Sequence, residues 1–456
     1  MQKTVVINVV GLTSGLMGED TPFLCKWSAD AKKAAINTLL PAVTCSVQAT
    51  YLTGKLPSEH GIVGNGWYFK DECEVKFWKQ SNKLIEAPKI WETARKKDAS
   101  FTCANMFWWY NMYSSADFSV TPRPQYLADG RKAPDVYSHP AKLRDQLQEK
   151  LGIFPLFDFW GPKTSIRSSQ WIADASLMND ELNNPTLTLI YLPHLDYNIQ
   201  RFGPNDARIK TDLREIDAVC EQLITAYEAK GAQVIVLSEY GITPVHRPVA
   251  LNRLLRKHGY IAIREERGLE LLDPGASKAF AVADHQVAHI YANDKSVIPE
   301  LKKLIETELG VESVLDEEGK KQHGLKHDRA GDLVVLADKD SWFSYYYWLD
   351  DAKAPDFARI VDIHKKPGYD PVEMFVNPKI KFVMPKVILK VLKKKLGFRM
   401  LMDIIPLDDT LVKGSHGRNP ESDSDKAIFI TKNASLVKGT VIEPTDVHDL
   451  ILAHLG

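Results

Sequence analysis

The chain has 456 residues, 58 of them basic (Lys or Arg) and 59 acidic (Asp or Glu), which gives a formal net charge of −1. This balance excludes nucleic-acid binding driven by overall charge, and the length indicates either two or three units or one large α/β domain with insertions. The five cysteines are odd in number and widely spaced, which is typical of reduced thiols rather than of a disulfide framework. Because no apolar run reaches membrane-spanning length and the N-terminus lacks a small-residue cleavage site, we expect a cytoplasmic protein.

Three runs of β-branched and apolar residues, at 4–10, 186–192 and 233–238, predict buried parallel strands. Each run ends in a polar turn, and ligand-binding residues of open α/β sheets gather at the carboxyl ends of the strands. The pattern therefore predicts an α/β fold, a three-layer α/β/α sandwich with a mostly parallel central sheet and insertions.

Residues 41–65 combine turn residues, hydroxyl groups and a polar end between two apolar segments. Thr44 begins a short predicted helix, where unpaired backbone N–H groups and the helix dipole favour a phosphate oxyanion. Asn65 ends the following loop and can direct its amide at the same anion. The alternative is purely structural: Thr44 caps the helix and Asn65 is a turn residue.

The order of residues in this stretch is Pro-x-x-Thr, then Thr-Gly-x-x-Pro-x-x-His-Gly-Ile, then Asn. It resembles the nucleophile region of the nucleotide pyrophosphatase/phosphodiesterases, a branch of the alkaline phosphatase superfamily. Further similarity extends to Gly414-Ser-His-Gly417, so the resemblance covers most of the chain. It implies an alkaline-phosphatase-like fold in which Thr44 attacks phosphorus and Asn65 binds a phosphate oxygen.

The resemblance also implies two closely spaced zinc ions held by side chains that follow the predicted strands. Of the residues at the ligand positions, Asp196 and His416 are retained, and Glu239 is a conservative replacement of Asp. Three further positions have lost their ligating groups, and there the chain has Val10, Gln200 and Tyr240.

We therefore predict fewer ions than the family's two, or none, with zinc as the divalent metal that the resemblance implies. A one-metal site formed by Asp196, Glu239 and His416 is chemically reasonable, since three protein ligands and one water make a catalytic zinc site. His285 or His194 is the candidate for an additional ligand. A metal-free site is the open alternative.

The whole chain is predicted to form one alkaline-phosphatase-like domain, 1–456, with two insertions. The segment 66–162 is rich in aromatic residues, which either line the site or form a small core of their own. The segment 252–404 is a second insertion or cap region, and 405–456 returns to the core. Within the second insertion, 377–402 is basic and amphipathic, which favours contact with an anionic membrane surface or a phosphorylated ligand, or else a lysine-rich solvated face.

Two functions follow from these patterns. The first is a metal-dependent hydrolase that acts on a phosphate ester or phosphodiester through Thr44. The second is a catalytically inactive protein that binds a phosphorylated or anionic apolar metabolite. Both imply a small anionic partner and no nucleic acid, and the oligomeric state stays open.

Overall fold

The computed structural model describes residues 1–128 and 131–456. Its strands, in chain order, are β1 Thr4–Val9, β2 Lys32–Ile36, β3 Gly66–Phe69, β4 Glu74–Phe77, β5 Cys103–Met106, β6 Phe118–Pro122, β7 Gln125–Tyr126, β8 Lys132–Ala133, β9 Val136–His139, β10 Leu187–Leu192, β11 Gln233–Leu237, β12 Thr243–Pro244, β13 Arg247–Val249, β14 Ala262–Glu266, β15 Leu269–Asp273, β16 Ala279–Asp284, β17 Val287–Ala292, β18 Val311–Leu315, β19 Leu333–Ala337, β20 Ser341–Phe343, β21 Gly414–Ser415, β22 Ala427–Thr431 and β23 Val441–Ile442.

The α-helices are α1 Pro22–Trp27, α2 Thr44–Thr53, α3 Pro57–His60, α4 Ile90–Lys97, α5 Ala141–Leu151, α6 Leu156–Phe159, α7 Ile166–Asn183, α8 His194–Phe202, α9 Ile209–Ala229, α10 Leu251–Lys257, α11 Ile298–Glu306, α12 Glu317–Gln322, α13 Val383–Lys395 and α14 Asp446–His454. Among the described residues, none of these helices combines the length and the apolar composition that crossing a membrane requires.

The central sheet is mixed and has the strand order β23-β2-β22-β11-β1-β10-β5-β6-β9. Its middle is parallel, because β1 pairs in parallel with β10 and β11, and β10 continues in parallel to β5 and β6. The three strands predicted from the sequence are β1, β10 and β11, which lie side by side. Their runs are nearly all apolar because both faces of the sheet are covered, and every residue of β1 is buried.

Helices cover the central sheet in two layers, as the sandwich prediction requires. One layer contains α1 and α5–α9, which contact one another, and the other contains α2, α4 and α14. A single core of buried apolar residues runs through both layers and the sheet. The α/β sandwich expected from the sequence is confirmed.

Within the aromatic-rich segment 66–162, strands β5, β6 and β9 extend the central sheet. The aromatic residues of this segment accordingly divide between two cores: Phe107 and Trp108 pack into the main core, whereas Trp67 and Trp109 pack elsewhere. The residues after 404 also rejoin the main structure, because β22 pairs between β2 and β11.

A second, antiparallel sheet with the order β16-β17-β19-β18 lies within 252–404 and has its own buried core. The turn between β16 and β17 reaches the start of α2. There the Asn65 backbone N–H donates to Asp284 Oδ2 over 2.8 Å, which links the two cores at the predicted nucleophile loop.

Candidate active site

Thr44 is the first residue of α2, and the N-cap position belongs to Val43, whose backbone is extended. No side chain caps this helix, so the Thr44 hydroxyl is not engaged in capping. Instead Thr44 Oγ1 lies 3.0 Å from the hydroxyl of Tyr240. The side chain is buried, with 4% of its residue surface exposed. The capping alternative for Thr44 therefore does not describe this position.

Asn65 holds the start of the same helix. Its Oδ1 accepts a hydrogen bond from the Cys45 backbone N–H over 3.0 Å, and its Nδ2 donates to Asp284 Oδ1 over 3.0 Å. An amide Nδ2 carries two hydrogens, so one of them is left for a further acceptor beside Thr44. Asn65 thus organises the loop and keeps a donor for an anion.

Tyr240 connects Thr44 to Asp196 and His416, two of the positions at which the resemblance implies metal ligands. Its hydroxyl donates to Asp196 Oδ1 over 3.3 Å, and its ring stacks on that of His416 with centroids 3.6 Å apart and an interplanar angle of 7°. Thr44, Tyr240 and Asp196 therefore form a continuous line of hydrogen bonds in a buried environment. A proton can pass along such a line without a water molecule.

The first group consists of Asp196, Gln200 and His416. Asp196 and Gln200 lie one turn apart on α8, and Gln200 Nε2 donates to Asp196 Oδ2 over 2.8 Å. The His416 Nδ1–H donates to the carbonyl of Ala42 over 2.7 Å, which leaves the Nε2 lone pair 3.9 Å from Asp196 Oδ1. That Nε2 atom has no hydrogen-bond partner in the described part of the chain. A histidine fixed by its Nδ1–H in this way has the tautomer of a metal ligand.

The second group consists of Val10, Glu239 and Tyr240. Val10 is fully buried at the end of β1 and offers no ligand atom. Glu239 Oε1 accepts hydrogen bonds from Asn8 Nδ2 over 2.6 Å and from Gln48 Nε2 over 2.5 Å. Polar side chains therefore satisfy Oε1, whereas the buried Oε2 has no hydrogen-bond partner in the described part of the chain.

Burial controls the ionisation of the site. Desolvation raises the pKa of Asp196 to about 7, that of Asp284 to about 7 and that of Glu239 to about 8. Desolvation also lowers the pKa of His416 to about 3. All four shifts favour the neutral form, which is the expected result where no opposite charge compensates a buried one.

The two additional histidine candidates lie in different places. The His285 ring lies 3.7 Å from the His416 ring and 3.7 Å from the Tyr369 ring, so His285 reaches the site from the second sheet. His194 Nε2 instead lies 3.0 Å from Glu215 Oε2 and 3.5 Å from Asp212 Oδ1. His194 therefore belongs to a separate cluster on α8 and α9.

Two site residues escaped the sequence analysis as partners of this site. Gln48 lies one helical turn after Thr44, a spacing that places both on one face of α2 and that could have revealed it. Tyr369, whose hydroxyl donates to Gln200 Oε1 over 3.0 Å, is brought in by a distant loop and has no local sequence signal.

Residues 4–370 match the profile of the family described as type I phosphodiesterase / nucleotide pyrophosphatase. The chain belongs to this family. Similar proteins include an uncharacterized pyrophosphatase/phosphodiesterase of Schizosaccharomyces pombe, 23% identical over 208 residues, which cover 45% of this chain and 37% of that relative. The chain therefore spans little more than a third of that relative's length.

Solved structures of the same fold include murine ectonucleotide pyrophosphatase/phosphodiesterase 5, determined as an inactive variant with AMP. It aligns with a TM-score of 0.60 at 15% identity, over 100% of this chain and 95% of that chain. Phosphonoacetate hydrolase of Sinorhizobium meliloti, determined with phosphonoacetate, aligns with a TM-score of 0.61 at 14% identity, over 100% and 96%. These similarities confirm the alkaline-phosphatase-like fold.

The family's pair of metal ions does not fit the side chains of this member. Val10 has no ligand atom, the Gln200 amide is committed to Asp196 and Tyr369, and the Tyr240 ring covers His416. A single cation fits better, because Asp196 Oδ1 and the unpartnered His416 Nε2 face each other.

Glu239 does not join Asp196 and His416 in a compact ligand group. In the described part of the chain, the group of three whose ligand atoms all lie within 4.8 Å of one another is His194, Asp212 and Glu215. The three-ligand site expected from the sequence stays a prediction, and it would require Glu239 to move.

Proposed function

We propose that this member of the family hydrolyses a phosphoric ester or diester of a small anionic substrate, with Thr44 as the nucleophile. The observation that carries the proposal is the hydrogen-bonded line from Thr44 Oγ1 through the Tyr240 hydroxyl to Asp196 Oδ1. The hydroxyl is buried and is not engaged in capping, and the Asn65 amide accepts from the backbone N–H of the next residue, Cys45. Family membership supports the reaction class, and the AMP and phosphonoacetate bound to the two structural relatives support a small phosphorylated or phosphonate substrate.

In the proposed mechanism, Thr44 Oγ1 forms a bond to phosphorus while its proton passes to the Tyr240 oxygen. The Tyr240 proton passes in turn to Oδ1 of ionised Asp196, whose pKa of about 7 leaves part of it ionised near neutral pH. The bond between phosphorus and the leaving oxygen breaks, and the leaving oxyanion takes a proton from solvent. The second Nδ2 hydrogen of Asn65 binds a phosphoryl oxygen as its charge grows. Water then attacks phosphorus in the phosphothreonine and releases one proton to solvent, while the bond from phosphorus to Thr44 Oγ1 breaks and the proton on Asp196 returns through Tyr240 to Thr44.

A divalent cation, when bound by Asp196 and His416, would supply charge stabilisation at the phosphoryl group. An unassisted Thr hydroxyl is a weak nucleophile near neutral pH, so the activity of the metal-free protein is expected to be low. The proposal includes zinc as this cation and Glu239 or His285 as a further ligand.

The test compares Thr44→Ala and Thr44→Ser with wild type on aryl phosphodiesters and monoesters, in EDTA and with several divalent metals. Thr53→Ala is the matched control, since Thr53 is another buried threonine of α2 whose hydroxyl bonds only to nearby backbone, donating to the Ala49 carbonyl over 2.7 Å and accepting from the Lys55 N–H over 3.2 Å. Thr44→Ala should lower kcat/KM by ~100-fold or more, whereas Thr44→Ser and the control should retain most of it. Equal activity of wild type and Thr44→Ala would refute the nucleophile assignment.

The second candidate is a binding protein without catalytic turnover. It is favoured by the side chains Val10, Gln200 and Tyr240, which stand where the resemblance implies metal ligands for catalysis. This candidate predicts that wild type and Thr44→Ala are equally inactive on every ester and bind a phosphorylated apolar ligand equally well. Isothermal titration with an isoprenoid phosphate distinguishes it from the hydrolase.

We also propose that the protein works in a reducing compartment, the cytoplasm. The five cysteines support this, because all of them are free thiols in the structure. Fractionation of the cells that express the chain tests the proposal, and recovery of the protein outside the cytoplasm would refute it.

A further inference from the structure

The helix α13 is attached to the rest of the protein in an unusual orientation. None of its residues is buried, and its apolar side chains face solvent. Met384, Ile388, Leu389 and Leu392 are 65%, 53%, 56% and 50% exposed. A surface helix of a globular protein normally turns this face towards the core, where it removes apolar area from water.

The side of α13 that faces the protein carries its half-buried residues, which are Val383, Lys386, Val387 and Lys390. Lys386 and Lys390 form ion pairs with Asp403, and they also donate to the carbonyls of Asp403 and Leu401. These contacts fix the orientation of the helix about its own axis. Specific contacts therefore determine that the apolar face is exposed, because the opposite rotation of the helix would break both ion pairs.

The exposed apolar side chains are concentrated in residues 382–401, and we call this set the apolar ridge. Among the eighteen exposed large hydrophobic residues of the described chain, nine fall in this stretch of twenty residues, and the ridge consists of Phe382, Met384, Ile388, Leu389, Val391, Leu392, Leu396, Phe398 and Leu401. A single exposed leucine needs no explanation, but a contiguous patch marks an interaction site.

A basic rim surrounds the apolar ridge. Residues 377–402 contain eight lysines and arginines and no aspartate or glutamate. Two of these cations are Lys386 and Lys390. The other six form no ion pair in the part of the chain that the structure describes, and the rim consists of Lys379, Lys381, Lys393, Lys394, Lys395 and Arg399.

We infer that α13 is a membrane-docking element that lies in the interface of a bilayer containing anionic lipid, with the apolar ridge among the acyl chains and the basic rim among the headgroups. An exposed apolar face flanked by lysines is the arrangement that such interfacial helices share. The attraction of the rim to anionic lipid adds to the burial of the ridge. This inference is independent of the reaction proposed for Thr44.

Charge selects the bilayer over a second copy of the chain. A two-fold dimer through the apolar ridge would bring two sets of six unpaired cations together, and like charges oppose each other at a closed interface. An anionic lipid surface instead complements every cation of the rim. No helix of the described chain spans a membrane, so the attachment is peripheral.

The segment that carries the ridge and the rim, 379–402, has a narrow neck, which means that its two ends lie close together. The segment can therefore be removed without disturbing the rest of the fold. The Asn377 backbone N–H donates to the Ile404 carbonyl over 2.7 Å, so the chain leaves and re-enters the body at adjacent points. A short glycine-serine linker can therefore replace residues 379–402 without stretching the neck. This deletion removes the whole ridge and the whole rim while leaving the residues of the candidate active site in place.

The experiment is cosedimentation of the full chain with vesicles of phosphatidylcholine alone, or of phosphatidylcholine with about 30% phosphatidylserine. We expect wild type to bind the mixed vesicles, with binding that weakens as salt rises, and to bind neutral vesicles at least ~10-fold more weakly. Leu389→Glu/Leu392→Glu should lower binding to the mixed vesicles by ~10-fold or more, and Lys393→Glu/Lys394→Glu by a similar factor. The linker deletion should abolish binding.

Two matched controls change the same residue types elsewhere on the surface. Leu309 is 71% exposed and Lys257 is also exposed, so Leu309→Glu and Lys257→Glu should leave binding unchanged. Thermal unfolding verifies that each variant is folded. Failure of folded wild type to bind mixed vesicles, or unchanged binding of the ridge variant or the deletion, would overturn the inference. So would a dimer in solution that becomes a monomer in the ridge variant, since the ridge would then be a subunit interface.

Discussion

The two groups of ligand positions in the candidate active site have diverged in different ways. In the Asp196 group, the one lost ligand is replaced by Gln200, and the remaining carboxylate and imidazole still face each other. In the Glu239 group, the side chains of Val10 and Tyr240 stand at the positions of two ligands. The first group keeps two facing ligand atoms, whereas the second keeps ligand atoms only on Glu239, whose Oε2 has no hydrogen-bond partner among the described residues. One substitution can therefore restore the first group, but several would be needed for the second.

The largest effect that this comparison predicts is on stability. Val10→Asp, which restores a ligand type to the second group, should lower the free energy of unfolding by ~3–5 kcal/mol, because it buries a carboxylate with no cation to pair it. Urea unfolding at neutral pH, with and without zinc, measures the change. Val10→Ala removes apolar volume without adding charge and should cost less. Stabilisation of Val10→Asp by stoichiometric zinc would show that the second group is still open and would break the comparison.

Restoring the first group should instead create a metal site. Gln200→His places an imidazole one turn after Asp196 and across from His416, which completes a three-ligand set. We expect zinc affinity to rise by ~100-fold or more relative to wild type. Isothermal titration and elemental analysis after dialysis measure it. Gln200→Asn is the matched control, and equal zinc binding by both variants would mean that the geometry of this group has not been kept.

The contact between the two groups can be tested through the Tyr240 hydroxyl. Tyr240→Phe keeps the stack on His416 but leaves Thr44 and Asp196 without their shared partner. It should cost ~1–3 kcal/mol of unfolding free energy, the penalty for buried polar groups that lose a partner. Differential scanning calorimetry at fixed pH checks this value. A neutral or stabilising effect would indicate that water replaces the hydroxyl and that the site is more open than the structure shows.

The smallest expected effect is the pH dependence of stability. The pKa values of Asp196, Asp284 and Glu239 in the folded protein are about 7, 7 and 8, raised by burial from the ordinary values of 3.8 for Asp and 4.5 for Glu. Their contribution is thus fully present below pH ~4 and is lost as the pH rises through these folded values. His416, with its pKa lowered to about 3 from 6.5, contributes stability that is lost as the pH falls below 6.5, so it opposes the acids only there.

Between pH ~6.5 and ~8 the unfolding free energy should therefore decrease as the pH rises. Glu239→Gln removes one of the three acids and should make the decrease shallower, whereas Asp206→Asn, on the surface, should not affect it in this window, because hydrogen bonds from Arg208 lower the pKa of Asp206 to about 2. Urea titrations at several pH values measure the slope. A stability that rises throughout this window would show that a cation compensates the carboxylates.

The sequence predicted those parts of the fold whose signal is local. Strands β1, β10 and β11 are continuous apolar runs because helices cover both faces of the sheet, and the runs alone locate them. The position of β22 between β2 and β11 depends on pairing between residues about 200 or more positions apart, which leaves no periodicity in the sequence. The orientation of α13 could not be predicted from the sequence either. Its amphipathic pattern defines two faces, but the ion pairs with Asp403 decide which of them meets solvent.

The residues of the site also divide into those with a local sequence signal and those that only the tertiary fold brings in. Thr44 and Asn65 were found from a motif and Asp196 and His416 from their order along the chain, and the structure brings all four together. His194 was a candidate ligand because it is only two residues from Asp196, but it lies on another side of α8. His285, 89 residues beyond Asp196, reaches the site because the second sheet delivers it. Side-chain partners such as Tyr369 depend on the tertiary fold and cannot be read from a single sequence.

The place of β22 has a consequence for synthesis on the ribosome. This strand, Ala427–Thr431, fills the gap between β2 and β11, so the central sheet is incomplete until residue 431 has been made. His416 and the Gly417 carbonyl, which accepts from the Ala42 N–H over 3.0 Å, are made shortly before it. The nascent chain must therefore carry an open strand edge from the synthesis of β11 to that of β22, a state prone to wrong pairing. Pulse-chase proteolysis should accordingly find β11 protected only after β22 has left the ribosome.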